Sequence, residues 1–334
     1  MRRVWLGLLI LAAACAGGPR GPQTYAIDVD APSPEGEKIQ VSAFFPGEVR
    51  VSPGDTIRFV NRSTEAPHTI TLGVLADRSN QPPLFVEGGA ENSAVFGPCY
   101  TSEKPTARLS RCSTTDLPAF DGRGYWNSGV LQPASAPAQA GAKDVTVELA
   151  DDTPEGVYAF VCILHPFMNG SLTVTEEEAD RDTTEEVRAE ARQAASAALR
   201  SAGELETPQL EREGDSVTVT AGWGDRITAV NLYAPATLDI EAGTTVRWVT
   251  RSPYEPHTVT FESPYQRPGD PASFAPGGVR SGGEYAGGFA NSGILGPEGG
   301  PFPSSTFELT FTRPGSYTYV CTLHPGQQGV VRVS

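Results

Sequence analysis

The chain has 334 residues, of which 36 are glycine and 29 are proline, a composition that suits many short strands joined by turns. Charged residues make up 19% and hydrophobic ones 39%, which indicates a globular chain, and the length favours two domains over one. The net charge of −15 argues against nucleic-acid binding, because an acidic surface repels phosphates.

The N-terminus predicts an export signal over residues 1–14. Arg2 and Arg3 precede a short apolar segment that ends in three alanines, and Cys15 follows. This arrangement resembles a bacterial lipoprotein signal, in which Cys15 becomes the lipidated first residue; ordinary cleavage near the same alanines is the alternative. Either reading places the mature chain outside the cytoplasm, periplasmic or at the cell surface. Residues 15–24 then form a flexible tether, and lipidation would anchor the protein to the membrane.

The rest of the chain contains two copies of one sequence pattern. Three pairs of segments correspond: 49–70 with 238–259, 125–131 with 289–295, and 156–174 with 315–333. Side chains within these segments alternate with period two, and turn residues separate them, so antiparallel strands are predicted. The predicted fold class is therefore all-β, with one β-sandwich in residues 25–175 and another in 207–334.

The first copy carries 25 extra residues before its Asn-Ser-Gly motif, which predicts an insertion over about residues 74–124. Cys99 and Cys112 lie in this stretch. Because the protein is expected to be exported, a disulfide between them is the default prediction, and it would pin the inserted loop.

An acidic linker is predicted over residues 176–206, between the copies. Thr183 and Glu186 have the spacing of a capping box, and Gly203 could end the helix that would follow from about Thr184. The apolar stripe of this helix is mostly alanine, so weak packing and a role as a spacer are expected. A disordered acidic linker is the other reading.

Four residues of the first copy have the chemistry of a copper site. Cys162, His165 and Met168 lie within one heptapeptide at the end of a strand, and His68 lies in a distant segment that a sandwich can bring to the same end. Two imidazoles, one thiolate and an axial thioether are the ligand set of a blue-copper electron-transfer site. Zinc is the main rival, but a methionine ligand gives no reason to expect zinc.

Both copies resemble cupredoxins of the plastocyanin and amicyanin type. The sequence CILHPFM has the short Cys-x2-His-x2-Met loop of amicyanin, and the Asn-Ser-Gly motif and the strand before the cysteine are also similar. The resemblance implies Greek-key sandwiches with a type 1 copper near one end and the loop histidine partly exposed as the electron port. By position it assigns copper site 1 to His68, Cys162, His165 and Met168.

The second copy keeps His257, Cys321 and His324, but Gln327 stands where the first copy has Met168. Stellacyanin-like members of the family use an axial glutamine, so a second copper site is expected. Its stronger axial oxygen donor should favour Cu(II), which predicts that electrons run from site 2 to site 1. A second domain kept only for stability or docking is the alternative.

Thr69 and Thr258 directly follow the first histidine of each copy. They could support the cysteine loop through hydrogen bonds. The plainer reading is that threonine merely suits a strand.

The predicted function is electron transfer through two mononuclear copper sites, and no catalytic residues are assigned. Copper enzymes built from cupredoxin domains need further imidazoles, commonly in His-x-His pairs, and this chain has four histidines and no such pair. Copper storage or delivery is a second hypothesis, and a one-copper carrier with a structural second domain is a third. A redox protein such as a cytochrome or oxidase is the expected partner, with no small-molecule substrate. The acidic charge suits a basic docking surface or serves solubility alone.

Overall fold

The computed structural model describes residues 21–32, 38–77, 79–87, 90–102, 108–176, 180–265, 270–298 and 302–334. The predicted signal peptide, Cys15 and most of the predicted tether lie outside these residues. Among the described residues, no helix combines the length and the apolar composition needed to cross a bilayer.

Most of the secondary-structure elements among the described residues are strands. In the first half of the chain they are β1 (Thr24–Val29), β2 (Ile39–Val41), β3 (Phe44–Phe45), β4 (Glu48–Val51), β5 (Thr56–Asn61), β6 (His68–Leu72), β7 (Cys99–Thr101), β8 (Tyr125–Leu131), β9 (Asp144–Glu148), β10 (Gly156–Val161) and β11 (Asn169–Val174). In the second half they are β12 (Glu211–Glu213), β13 (Ser216–Gly224), β14 (Thr228–Ala234), β15 (Thr237–Ile240), β16 (Thr245–Arg251), β17 (Thr260–Phe261), β18 (Gly277–Gly278), β19 (Gly283–Tyr285), β20 (Ala290–Asn291), β21 (Thr306–Phe311), β22 (Gly315–Val320) and β23 (Gln328–Val333). The helices are α1 (Ser93–Phe96) and α2 (Thr184–Gly203), with short 3-10 turns at Ala138–Ala140 and Pro271–Phe274.

Four sheets form two sandwiches with matching strand order. The N-terminal sandwich has the sheets β3-β1-β5-β9 and β4-β11-β10-β6-β8-β7. The C-terminal sandwich has the sheets β19-β21-β16-β13-β14-β2, with β12 beside β13, and β15-β23-β22-β17-β20-β18. The predicted all-β class with two sandwiches is confirmed, and the repeat seen in the sequence is a repeat of topology.

Side chains along the strands alternate between the core and the solvent, and the inward-facing ones form each core. In β5, Ile57 and Phe59 point inward and are fully buried, whereas Arg58 between them faces solvent. Phe59 and Phe160 then meet edge to face at 5.1 Å inside the N-terminal sandwich. Trp248 has the same central place in the C-terminal sandwich, where its ring lies 5.3 Å from that of Tyr319.

The predicted insertion of the first copy lies between β6 and β8, in a segment that contains α1 and β7; β7 itself has a counterpart in β18 of the second copy. Strand β7 extends the sheet by pairing with β8, and the predicted disulfide joins Cys99 to Cys112 with 5.2 Å between their Cα atoms. Cys99 is fully buried, so the bridge ties the outer part of the insertion to the sheet.

The acidic segment between the copies forms the predicted helix. Thr183 is the N-cap, and its capping box with Glu186 is complete. The helix is not a loosely packed spacer, because Ala191 and Ala198 are buried against the cluster that contains Val41. Small alanine side chains let the helix backbone approach the sheet closely, so a stripe that offers little apolar area still docks.

One strand of the N-terminal half belongs to the C-terminal sandwich, and it is called the exchanged strand here. Strand β2 follows β1 in the chain, yet it pairs antiparallel with β14 and forms the edge of the C-terminal sheet, with Gln40 opposite Ala229. The amide of Ser42 continues this pairing by donating to the carbonyl of Ile227 at 2.7 Å. These hydrogen bonds fix how the two sandwiches face each other.

Candidate metal centres

The first candidate centre lies at one end of the N-terminal sandwich. His68 begins β6, Cys162 directly follows β10, and His165 lies in the loop between β10 and β11. The Cys162 Sγ atom lies 3.7 Å from Nδ1 of His68 and 3.4 Å from Nδ1 of His165. Met168, in the same loop, is buried beside Cys162 in the core. The structure thus brings the predicted residues of site 1 together.

The second candidate centre repeats this arrangement in the C-terminal sandwich. The Cys321 Sγ atom lies 3.5 Å from Nδ1 of His324, and His257 belongs to the same buried group. Gln327 points into the group, since its Oε1 lies 3.0 Å from Nδ1 of His257. An amide oxygen is therefore part of this group, supplied by the residue that stands where the first copy has Met168.

The two ligand loops are closed by the same pair of backbone hydrogen bonds. The amide of Cys162 donates to the carbonyl of Met168 at 2.9 Å, and that of Met168 donates to the carbonyl of His165 at 3.1 Å. In the second loop Cys321, Gln327 and His324 make the same bonds at 2.9 and 3.1 Å. Met168 and Gln327 are therefore structurally equivalent.

A threonine supports each cysteine, as one of the two readings of Thr69 and Thr258 predicts. The amide of Thr69 donates to Sγ of Cys162 at 3.3 Å, and its hydroxyl accepts from the amide of the next residue, Ile163, at 2.9 Å. Thr258 makes the equivalent bonds at 3.3 and 2.8 Å. These bonds hold the sulfur in place and stabilise its negative charge.

The Asn-Ser-Gly motif anchors the strand that carries the first histidine. The Asn127 side chain accepts from the hydroxyl of Thr71 on β6 at 2.8 Å and donates to the carbonyl of Val95 at 2.9 Å. Asn291 accepts from Thr260 on β17 at the same distance. The motif therefore ties the inserted segment to the back of the centre, a role that the sequence match alone did not give.

The first histidines of the two centres differ on the side away from the sulfur. Nε2 of His68 lies 3.1 Å from the carboxylate of Asp30, a buried residue held at φ 70°. Nε2 of His257 is buried without a hydrogen-bond partner, and a Cβ atom on Gly222 would lie only 1.8 Å from it. Sequence reasoning missed both residues.

The loop histidines of the two centres face each other across one carboxylate. Oε1 of Glu255 lies 3.0 Å from Nε2 of His324, and Oε2 lies 3.8 Å from Nε2 of His165. Exposure is 7% for His165 and 5% for His324. The expectation of a partly exposed electron port at this histidine is therefore wrong, because Gln40 and Tyr254 pack on His165, and Glu255 covers His324.

The buried charges favour a thiolate beside each imidazole pair. Burial by itself raises the pKa of Cys162, but the charge of His165 and hydrogen bonds with both imidazoles lower it well below its ordinary value. Burial by itself lowers the pKa of His68, but the hydrogen bonds with Asp30 and Cys162 raise it to about 9. The pKa of Glu255 falls to about 2, because the hydrogen bond and charge of His324 outweigh its burial.

The donor atoms fit a metal ion. In each group the two imidazole nitrogens and the sulfur lie within 4.8 Å of one another, and all six residues are buried. A thiolate with two imidazoles suits copper, and one loop adds a thioether and the other an amide oxygen. All four histidines of the chain belong to these two groups.

Comparison with known proteins points to copper. Residues 227–334 match the family model of copper binding proteins of the plastocyanin/azurin family. A methionine-to-glutamine mutant of amicyanin in the Cu(I) form is similar at 25% identity, over 37% of this chain and 87% of that chain, with a TM-score of 0.24. A purple cupredoxin from Nitrosopumilus maritimus is similar at 24% identity, over 35% of this chain and 98% of that chain, with a TM-score of 0.21. The family match covers the C-terminal sandwich alone, and copper is the cofactor that the two Cys-His-His groups fit.

Proposed function

We propose that this protein is an electron carrier with two mononuclear type 1 copper sites. Site 1 comprises His68, Cys162, His165 and Met168, and site 2 comprises His257, Cys321, His324 and Gln327. When bound, copper would cycle between Cu(I) and Cu(II) by exchanging one electron with a redox partner. The observation that carries this proposal is the buried Cys-His-His group, formed twice with matching loop hydrogen bonds.

The residues around each sulfur suit this task because they restrict movement. The sulfur of Cys162 is fixed by the amide of Thr69 at 3.3 Å, and His68 is fixed by Asp30 at 3.1 Å. A ligand set that is already in place needs little rearrangement when charge changes, so electron exchange with a partner can be fast.

The axial residues suggest a direction for the electron. The amide oxygen of Gln327 is a harder donor than the thioether of Met168, and harder donors favour Cu(II). Site 2 would then have the lower potential and would reduce site 1. The Asp30 carboxylate beside His68 acts in the opposite sense, so the potentials of both sites need to be measured separately.

A cupredoxin-based oxidoreductase is less well supported, because both mononuclear groups together use all four histidines of the chain. We further propose that the protein works outside the cytoplasm, held at the membrane by lipid on Cys15, with a cytochrome or oxidase as its partner. The sequence of residues 1–15 supports this placement.

Metal content and spectra of cysteine variants test the proposed function. We expect two coppers per chain, with one blue absorption band and its paramagnetic signal lost in Cys162→Ser and the other lost in Cys321→Ser. Each single variant is the control for the other, since the untouched site should keep its spectrum. A colourless chain that holds zinc would contradict the proposal, and one copper lost only with Cys162→Ser would reduce the second site to a structural remnant.

A further inference from the structure

A buried carboxylate joins the two proposed copper sites. Glu255 is 7% exposed and lies two residues before His257, where the first copy has Ala66. Its Oε1 meets His324 of its own site, and its Oε2 faces His165 of the other site at 3.8 Å with no hydrogen-bond partner of its own.

The orientation of the rings makes this contact relevant to the metal. Nδ1 of His165 and Nδ1 of His324 both face their cysteine sulfur, at 3.4 and 3.5 Å. A histidine that binds metal through Nδ1 carries its proton on Nε2. Nε2 of both rings therefore faces the one carboxylate: that of His324 bonds to Oε1 at 3.0 Å, and that of His165 lies 3.8 Å from Oε2, close enough for a charge contact but beyond hydrogen-bond distance.

The surroundings hold this arrangement rigidly. The side-chain Nε2 of Gln40, on the exchanged strand β2, lies 3.4 Å from Nε2 of His165 and donates to the hydroxyl of Ser42 at 2.8 Å. Arg226 stacks on the ring of Phe167 at 4.8 Å, and Tyr254 packs edge-on against His165. Contacts from both halves of the chain thus surround His165, and the carboxylate of Glu255 beside it is buried.

We propose that Glu255 is a positioning residue shared by both sites, and that the path His165–Glu255–His324 carries electrons directly between them. The inference rests on the proposed function and deepens it. The loop histidines, which would otherwise meet an external partner, serve the exchange within the chain.

The step is a one-electron transfer without bond making or proton movement. With copper held by the two groups, site 2 would give up one electron, passing from Cu(I) to Cu(II), and site 1 would take it up, passing from Cu(II) to Cu(I). An external one-electron donor protein reduces site 2 again, and an acceptor protein reoxidises site 1. Glu255 remains a carboxylate throughout, bonded to Nε2 of His324 and facing Nε2 of His165.

The first test uses the copper-loaded full-length protein. After fast injection of less than one electron per chain, we expect the two blue bands to re-equilibrate in a first-order process whose rate is independent of protein concentration. In Glu255→Gln, which keeps the size of the side chain but loses its charge and one acceptor, we expect this rate to fall at least tenfold. Equilibration that scales with protein concentration in the wild type would overturn the inference.

The second test measures, by NMR, the imidazole protons that face the Glu255 carboxylate. In the diamagnetic Cu(I) form, the Nε2–H protons of His165 and His324 should both be protected from exchange, and both NMR signals should move in Glu255→Gln. The matched control is Asp30→Asn, which removes a carboxylate from His68 and should move that signal and the site 1 potential alone. If Glu255→Gln moves only the His324 signal, the shared role is refuted.

Failure of the inference and failure of the proposed function are distinguishable. A blue protein with two coppers that do not exchange electrons within one chain refutes only the shared path. A protein without blue copper refutes the proposed function. If Glu255→Gln does not fold, the concentration dependence in the wild type still decides the question.

Discussion

Asp30 and Gly222 are equivalent residues that give the two proposed sites different surroundings. Thr24 of β1 pairs with Thr56, and Ser216 of β13 pairs with Thr245, so Thr24 and Ser216 are equivalent. Asp30 lies six residues after the first of them and Gly222 six residues after the second. Both have positive φ, 70° and 71°. A carboxylate in this conformation reaches His68 in site 1, whereas in site 2 only a glycine leaves room for His257.

Gly222→Ala should therefore abolish site 2. Its new Cβ would lie 1.8 Å from Nε2 of His257, at a φ that L side chains rarely adopt, so the imidazole must leave its place. We expect copper content to fall from two ions to one per chain, with the spectrum of site 1 retained.

The matched control for this variant is Gly214→Ala, which has a similar φ of 58° but nothing within 4 Å of the added atom. It should keep both coppers and cost about 1 kcal/mol of stability from backbone strain. Normal copper content in Gly222→Ala would contradict the close packing of His257.

At the residue scale, the sequence predicts the candidate metal-binding residues better than the residues that hold them in place. Cysteine and histidine recur at the same spacing in both copies, and this repetition indicates metal chemistry, so the members of both groups could be named from the sequence. Asp30 and Glu255 are acidic residues among 40 in the chain, and their partners come from distant segments. The alignment of the copies did hold a signal, since Glu255 stands opposite Ala66 just before a ligand histidine.

At the scale of elements, helix α2 is the clearest case of local sequence deciding local structure. The hydroxyl of Thr183 accepts from the amide of Glu186 at 3.2 Å, and the Glu186 carboxylate accepts from the amide of Thr183 at 2.8 Å. Both bonds are local, so the sequence could predict the helix start. Its docking depends on a sheet far away in the chain, which local sequence does not describe.

Thr183→Ala should destabilise the protein by about 1 kcal/mol, because the amide of Glu186 loses the hydroxyl that accepts its hydrogen bond. Urea unfolding followed by circular dichroism measures this change. Ser201→Ala, at an exposed position near the other end of α2, is the control and should change stability by less than about 0.5 kcal/mol. Equal effects from the two variants would contradict a role for the cap.

The segment before α2 is also anchored by charge. Arg181 forms a buried ion pair with Asp55 at 3.1 Å, and Asp182 pairs with Arg50 at 2.8 Å. An acidic composition therefore predicts solvent exposure poorly here, because individual charges find partners on the N-terminal sandwich.

At the scale of the whole molecule, the exchanged strand β2 determines how the sandwiches are joined. The sequence could predict two sandwiches from the repeat, but not this exchange. A three-residue strand, Ile39–Val41, is too short to show a period, and its partner β14 lies in the other copy.

Hydrogen–deuterium exchange tests the joining of the sandwiches. If β2 covers β14, the amides of β14 should be protected like those of the interior strand β13. Val41→Asp buries a charge at a fully enclosed position and should speed exchange in β14 at least tenfold, while β21, on the far side of the same sheet, is unchanged.

The matched control for this experiment is Val157→Asp, the same substitution at a valine that is 70% exposed. It should leave exchange in β14 unchanged. Rapid exchange of β14 in the wild type, at the rate of the surface loops, would contradict the strand exchange.

The exchanged strand also limits how this molecule can be made and how it can evolve. An uncovered sheet edge can pair with other chains. Here strand β2, from the N-terminal part of the chain, covers the edge of the C-terminal sheet. During synthesis β2 emerges long before β14, so the assembly closes only when the second copy arrives. Loss of the second copy would leave β2 without its partner strand, and loss of the first would leave the edge of β14 uncovered. Both outcomes favour retention of the two copies.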